Sequence, residues 1–491
     1  MTFTADDLAE LRALLGDDGV LDSEAARFTY EADALTLERA LPDVVVLPRS
    51  TDEVAALVRW AAARGVPVTP RGAGTGLAGG ATPERGGIVL SLNRMDRVLR
   101  VDAARLLAWV QPGLVNLHLS AAVAPHGLVF APDPASQQVS TVGGNVATNA
   151  GGPHCLKYGV TFNHVRAATV VLADGAVVTL GGEACDGPAS DLLAVVVGSE
   201  GTLGIVTEIC VRLLPRAEAV KTMLFDYATL GAACRTVSAA IAAGIVPAAM
   251  EIMDVHTVAM VEAWLGLGLP TDAGAVLLIE VDGPAAGLDA QAETIARLAH
   301  EHGARSARVA RDEAERLALW RGRKSAFGAY GRSRSGFYIM DGVVPRSRLA
   351  EAMEGITAIC AERGLACGHV FHAGDGNFHP HVLFDAEDAA QQARALEASH
   401  EILRLCIRMG GTISGEHGVG IEKRPMMAEL YAAEDLALMT AVRAAFDPAQ
   451  RLNPCKIYPG GAGCGEGRAH GRPPAQLGGA RAGEGGEGPW I

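Results

Sequence analysis

The stretch Pro70-Arg71-Gly72-Ala73-Gly74-Thr75-Gly76-Leu77-Ala78-Gly79-Gly80 decides the fold. Its glycines let backbone N–H groups turn toward an anionic ligand such as a pyrophosphate. Gly72, Gly74 and Gly76 invite comparison with the dinucleotide fingerprint, but that fingerprint must open a helix. Here Gly79-Gly80 and Pro83 interrupt any helix, and Gly87-Ile88-Val89-Leu90-Ser91-Leu92 resumes strand character at once. The loop also has no Walker lysine, which weakens a nucleoside-triphosphatase reading. Taken alone, a plain glycine-rich turn is the lesser alternative.

Its surroundings change that. Upstream, Val44-Val45-Val46-Leu47 reads as a strand, Thr51 caps a helix with apolar face Val54, Leu57, Val58 and Ala61, and Val66-Pro67-Val68-Thr69 reads as the next strand. Downstream, Pro132-Asp133-Pro134-Ala135-Ser136 leads into a second run of small residues, Thr141-Val142-Gly143-Gly144-Asn145-Val146-Ala147-Thr148-Asn149-Ala150-Gly151-Gly152. Two such loops can clamp one extended dinucleotide. A third, Val197-Gly198-Ser199-Glu200-Gly201-Thr202-Leu203-Gly204-Ile205-Val206, places Gly and Thr between apolar strands, where backbone groups can meet a cofactor.

Far from these loops, Gly368-His369-Val370-Phe371-His372-Ala373-Gly374-Asp375-Gly376-Asn377-Phe378-His379-Pro380-His381 concentrates imidazoles around a glycine-rich tip. Asp375-Gly376 supplies the positive φ of a tight turn, so a short hairpin is expected with His372 and His379 facing each other. Glu416, in Gly415-Glu416-His417-Gly418, can add an oxygen ligand. Two imidazoles and a carboxylate suit a catalytic divalent metal with open positions, and zinc, manganese or iron all fit such a set. A solvated surface turn is the bland alternative for any one histidine, and the clustering weighs against it.

A chain of 491 residues exceeds one core and predicts two or three domains. With 42 Lys+Arg against 56 Asp+Glu the net charge is −14, which disfavours nonspecific attraction to nucleic acid or anionic lipid. The start lacks the basic region of a secretory signal, with Thr4 reading as a helix cap, and no apolar run reaches the length of a membrane span. The cysteines form no C-x-x-C pair, so no iron-sulfur cluster is encoded.

Jointly, PRGAGTGLAGG, PDPAS, TVGGNVATNAGGPHCLKYGVT, VVGSEGTLGIVTE, FHAGDGNFHP, GGTISGEHGVG and AAFDPAQRLNP resemble the FAD-linked D-2-hydroxyacid dehydrogenases, flavoproteins with the vanillyl-alcohol-oxidase type fold. The resemblance runs from about residue 40 to about 458. It implies an α+β architecture: an FAD-binding domain over 1–215, an α+β cap or substrate domain over 216–410, and a segment over 411–458 that returns to the FAD domain. The Gly-rich tail 459–491 reads as disordered.

The resemblance further implies non-covalent FAD, held by Arg71, Gly72, Ala73, Gly74, Thr75, Gly76, Pro132, Asp133, Thr141, Gly143, Gly144, Asn145, Thr148, Glu200, Gly201, Gly204, Ile205 and Val206. It matches His372, His379 and Glu416 to metal positions and His417 to the base. An imidazole titrating near working pH suits that proton transfer. Arg323, in Trp320-Arg321-Gly322-Arg323-Lys324, aligns with a Trp-x-x-Arg pattern and can clamp a substrate carboxylate in bidentate fashion, whereas Arg321 reads as solvated. Lys456 resembles the lysine of a closing Asn-Pro-Gly-Lys, but Cys455 replaces the glycine. Adjacent residues of a strand point apart, so Glu416 and His417 need the Gly415/Gly418 turn to converge.

The expected reaction is oxidation of glycolate or D-lactate to glyoxylate or pyruvate. D-2-hydroxyglutarate oxidation is the alternative on the same chemistry. A non-redox flavoprotein resembling alkyl-glycerone-phosphate synthase is another, and a metal hydrolase with merely structural glycine loops is a third. With no second redox centre encoded, the resemblance implies a second flavin-type subunit and an iron-sulfur subunit as electron acceptor. The location expected is cytoplasmic, with room for peripheral attachment to the inner membrane through those partners.

Overall fold

Local signals in the first hundred residues place the first glycine loop. The computed structural model describes residues 3–184, 190–333 and 335–459. Thr4 caps Ala5–Leu15 through a capping box with Asp7. Ser50, one residue before the expected Thr51, caps Thr51–Arg64, whose buried face includes Val54, Leu57, Val58 and Ala61. The helix packs over a four-stranded sheet ordered Val20–Leu21, Val44–Val46, Ile88–Ser91, Val68–Arg71, the last three mutually parallel. No helix follows Arg71. The chain turns through the loop and re-enters the sheet at Ile88, as Gly79-Gly80 and Pro83 require.

An antiparallel five-stranded sheet follows, ordered Val98–Asp102, Leu107–Val110, Ile205–Arg212, Val165–Val171, Val177–Gly181. Helix Val142–Thr148 packs against it, capped by Thr141 Oγ1 on the Gly144 N–H at 3.1 Å. The second glycine run is therefore the start of a short helix.

The third sheet is antiparallel throughout and runs Ala304–Val309, Ala219–Tyr227, Ala275–Gly283, Ala249–Asp254, Ala366–His372, Asn377–Phe384, Gly336–Ile339, with Gly342–Val343 also pairing Asn377–Phe384. Side chains alternate across it. Ile252, Phe371 and Phe378 pack on one face with helices Leu230–Ala242, Leu349–Glu362 and Ala389–Arg408. Met253 and Val370 pack on the other with Val255–Leu265 and Glu313–Lys324. That second face also carries His372, His379 and His381.

After Phe446 the chain returns to the first glycine loop. The Asn453 amide donates to the Gly80 carbonyl at 2.9 Å and the Glu200 carbonyl at 2.6 Å, and Lys456 Nζ to the Thr82 carbonyl at 2.7 Å. Cys455 occupies the glycine position with φ +65°, the left-handed conformation that glycine adopts without cost. Residues 460–491 of the expected disordered tail lie outside the described residues.

Candidate active site

Strands Ala366–His372 and Asn377–Phe384 form the expected hairpin. Gly376 takes φ +86°, and a Cβ there would strike the Val344 carbonyl. The connection is four residues, Ala373 to Gly376, and His372 lies opposite Asn377 while His379 lies opposite Val370. The two histidines are thus diagonal neighbours on one face rather than a facing pair, with ring centroids 5.0 Å apart. Glu416 reaches both: its Oε1 is 3.3 Å from His372 Nε2 and 3.1 Å from His379 Nε2. All three side chains are nearly or partly buried, and their ligand atoms lie within 4.8 Å of one another.

What stands behind the imidazoles fixes their tautomers. His379 Nδ1–H donates to the Met340 carbonyl at 3.2 Å. His372 Nδ1–H donates to Glu251 Oε1 at 2.7 Å, across the directly paired strand Ala249–Asp254. Both Nε2 atoms therefore face Glu416, where a bound metal would take their lone pairs, the arrangement that metal-binding imidazoles use. Arg323 is buried, and its Nε donates to Glu251 Oε2 at 2.6 Å. The expected carboxylate anchor is in this way held beside the histidines by an ion pair with fully buried Glu251, while Arg321 is exposed as expected.

Glu416 and His417 converge on His379. The rings of His379 and His417 stack 5.0 Å apart with an interplanar angle of 11°. Gly418 takes φ +86°, and Gly415 packs so closely on Asn377 that a Cβ would come within 2.5 Å of its amide carbon. Burial pushes the His417 imidazole down to about 4, well below the working pH expected of it, so the ring is neutral, and its buried Nδ1 has no partner. Asp341, His379 and His417 also lie close enough to suggest a second ligand set. Asp341 Oδ2, however, already accepts from Ser414, Gly415, His417 and Lys423, which leaves it poorly suited to a metal.

The three glycine segments meet. A Cβ on Gly72 would strike Thr141 Oγ1, one on Gly201 would strike Pro70, and Gly204 lies against Val170. Gly143 packs on Pro112, and the Glu200 N–H donates to the Ala147 carbonyl at 2.8 Å. Arg71 folds back beneath Gly74, its Nη1 donating to the Ala32 carbonyl at 2.7 Å. The Pro132 carbonyl accepts from the Asn116 amide at 2.9 Å, and Thr148 Oγ1 donates to the Gly144 carbonyl at 3.3 Å. Ala73, Thr75 and Gly76 lie in the loop itself, and Ile205 and Val206 begin a strand. The Glu200 carboxylate is turned away to accept from Val419 N–H at 2.7 Å and Gly420 N–H at 2.9 Å, tying this region to the active-site loop. Gly151 completes the junction, since a Cβ there would lie 2.8 Å from Glu416 Oε2.

Asp133 belongs to a neighbouring network. His154 bridges Asp133 Oδ2 at 2.9 Å and Glu280 Oε1 at 3.4 Å, and its ring stacks on Trp320 at 5.4 Å. Burial pushes the imidazole down, but the Asp133 and Glu280 carboxylates outweigh it and raise it to about 10. The folded protein then holds a proton that the unfolded chain, with its ordinary 6.5, releases earlier. This stabilisation is complete below pH 6.5 and is lost as pH rises through about 10. Thermal midpoints should fall over that interval, and His154→Gln should flatten this part of the profile. An unchanged slope in the variant would remove His154 as its source.

Sequence reasoning missed Glu251, Met340, Asp341 and Lys423. Glu251 carried a signal: a carboxylate inside Ala249-Met250-Glu251-Ile252-Met253, a run otherwise apolar, must be paired if it is buried. Met340 acts through its carbonyl, which no side-chain pattern discloses.

The fold and the convergence of three glycine segments beside a histidine site define a flavin oxidoreductase class, and comparison with known proteins bears this out. Residues 42–181 match the FAD binding domain family and residues 216–457 match the family of FAD linked oxidases, C-terminal domain. The chain is 43% identical over 440 residues to glycolate oxidase subunit GlcD of Escherichia coli (strain K12), covering 90% of this chain and 88% of that one. It is 34% identical to a D-lactate dehydrogenase of Anaerostipes hadrus, covering 92% and 95%. Among solved structures, p-cresol methylhydroxylase superposes with a TM-score of 0.79 at 18% identity, covering 92% and 97%, and an alkyldihydroxyacetonephosphate synthase with 0.72 at 21%, covering 92% and 86%. The chain belongs to the FAD-linked oxidases, on the fold shared with p-cresol methylhydroxylase.

The residues present fit FAD. Ser140 Oγ and Asn145 Nδ2 are buried without a partner on the segment whose Thr141 hydroxyl a Cβ at Gly72 would strike. That clash overpacks the contact between the two glycine segments by about 1–3 kcal/mol. Gly72→Ala should therefore weaken FAD binding roughly 5- to 150-fold, read as flavin lost on gel filtration. Full flavin retention would place the cofactor away from Gly72.

Proposed function

We propose that this protein oxidises a short D-2-hydroxy acid, glycolate or D-lactate, to the 2-oxo acid. Support comes from relatives whose names denote glycolate oxidase and D-lactate dehydrogenase. The observation that carries the chemistry is the meeting of His372 Nε2, His379 Nε2 and Glu416 Oε1, each imidazole committed by its Nδ1 to an acceptor behind it. These three would hold a divalent metal, and FAD is held by the glycine segments over 71–76, 141–148 and 200–206 within a binding domain spanning 1–215. A cap over 216–410 and a return segment over 411–458 complete the architecture. When bound, the metal supplies polarisation of the hydroxyl and the flavin supplies a hydride acceptor.

The chain's own groups do the rest. His417, neutral and with Nδ1 free, accepts the hydroxyl proton. The ion pair of Arg323 with Glu251 uses Nε, so the two terminal NH2 groups of the guanidinium remain to grip the substrate carboxylate. Glu251 holds His372 in its donor tautomer. Electrons leave to a partner: no C-x-x-C pair occurs in the sequence, and the glycolate oxidase relative is named a subunit, which supports further subunits as the acceptor, a second flavin-type and an iron-sulfur subunit being the ones expected. No helix among the described residues is long and apolar enough to cross a membrane, so any attachment to the inner membrane runs through such partners.

The test is an anaerobic flavin spectrum before and after glycolate, D-lactate, L-lactate and D-2-hydroxyglutarate. Bleaching by glycolate or D-lactate is the expected result. A flavin that none of the four acids bleaches would overturn the reading and favour non-redox chemistry.

A further inference from the structure

The short segment joining Gly336–Ile339 to Gly342–Val343 touches three of the five proposed site residues, His379, Glu416 and His417. The Met340 carbonyl accepts from His379 Nδ1. The Asp341 carboxylate, fully buried, accepts from three successive backbone N–H groups, Gly415 at 3.0 Å, Glu416 at 3.2 Å and His417 at 2.9 Å. Ser414 Oγ donates to it at 2.8 Å and accepts in turn from the Gly418 N–H at 3.0 Å, closing the loop on itself. Lys423 Nζ, also fully buried, completes the shell at 2.9 Å.

Adjacent residues of an extended chain project in opposite directions, yet Glu416 must reach both His372 and His379 while His417 stacks on His379. A carboxylate gathering three consecutive N–H groups forces the backbone to curl around it, and the two side chains leave the curl on converging paths. A neutral acceptor would hold that curl less firmly, because hydrogen bonds to a charged acceptor are about twice as strong.

We propose that Met340 and Asp341 are the positioning residues of the site: the carbonyl aims His379, and the carboxylate, neutralised by Lys423, shapes the Ser414–Gly418 loop so that Glu416 completes the metal set. This rests on the metal reading of His372, His379 and Glu416. Asp341 acts on the metal through Glu416 and is not itself a ligand.

The test measures Mn(II) affinity of the FAD-loaded, full-length protein after chelator treatment, from the paramagnetic resonance signal of free Mn(II). Asp341→Asn should raise the dissociation constant about 10- to 100-fold with flavin content unchanged. Because that variant leaves Lys423 buried without its partner, Asp341→Asn/Lys423→Met is made in parallel and should show the same loss. Ser414→Ala, which keeps the ion pair, should show a smaller loss of the same sign. In a Glu416→Ala background, Asp341→Asn should cost no further affinity, an outcome that general loosening of the fold would not produce. Wild-type affinity in the Asp341 variants, or an undiminished loss in the Glu416→Ala background, would overturn the positioning role alone. If the wild type binds no Mn(II), or Glu416→Ala binds it as tightly as the wild type, the metal reading itself falls and takes this inference with it.

Discussion

Replacing His417 by alanine should slow anaerobic reduction of the flavin by glycolate or D-lactate about 10²- to 10⁴-fold, the span that a positioned general base contributes. The expectation follows from where the ring sits. It stacks on His379, presents an unpartnered Nδ1, and is kept neutral because burial pushes it down to about 4. FAD content should stay at the wild-type level, because His417 lies outside the glycine segments. Mn(II) affinity should also stay close to wild type, since His372, His379 and Glu416 make up the ligand set. That combination separates loss of the base from loss of the site. Rapid mixing with substrate under anaerobic conditions reads the rate directly, and wild-type bleaching by His417→Ala would remove this residue from the chemistry.

The parts of the structure that were legible beforehand are those written in local pattern. Gly79-Gly80 and Pro83 ruled out a helix after the first loop, and none forms. The His372/His379 hairpin was readable because Gly376 has to take a positive φ and because strand alternation puts residues of one parity on one face. Register was harder: the four-residue connection makes the two histidines diagonal, a difference of one step that glycine content does not specify. What stayed hidden is long-range pairing of polar groups. Asp341 is 74 residues from Gly415, and Glu200 is 219 from Val419, separations over which no periodicity operates. Glu200 shows the consequence. Sequence reasoning assigned it to the cofactor along with its glycine neighbours, while its carboxylate turns to the active-site loop and so couples the flavin-binding region to the metal candidates.

Breaking the Glu251–Arg323 pair should destabilise the protein strongly. Both side chains are buried, Glu251 completely, and the carboxylate serves two donors, Arg323 Nε and His372 Nδ1. Although burial opposes ionisation, Arg323 and His372 hold the Glu251 carboxyl below its ordinary range, so the pair is ionised in the folded protein. Glu251→Met strands a guanidinium in a dry interior, which costs about 3–5 kcal/mol. Glu251→Met/Arg323→Met removes both charges and leaves only the His372 N–H without an acceptor, a cost of about 1–3 kcal/mol. The double variant should therefore unfold at higher urea than the Glu251 single variant, an order opposite to that of independent contributions. If the two costs simply add, the side chains do not act as a pair. Flavin reduction distinguishes their second role: the more stable double variant should remain slow, because His372 has lost the carboxylate that fixes its tautomer and the substrate has lost its guanidinium. Partial recovery of stability without recovery of rate would separate the pair's part in the chemistry from its part in the fold.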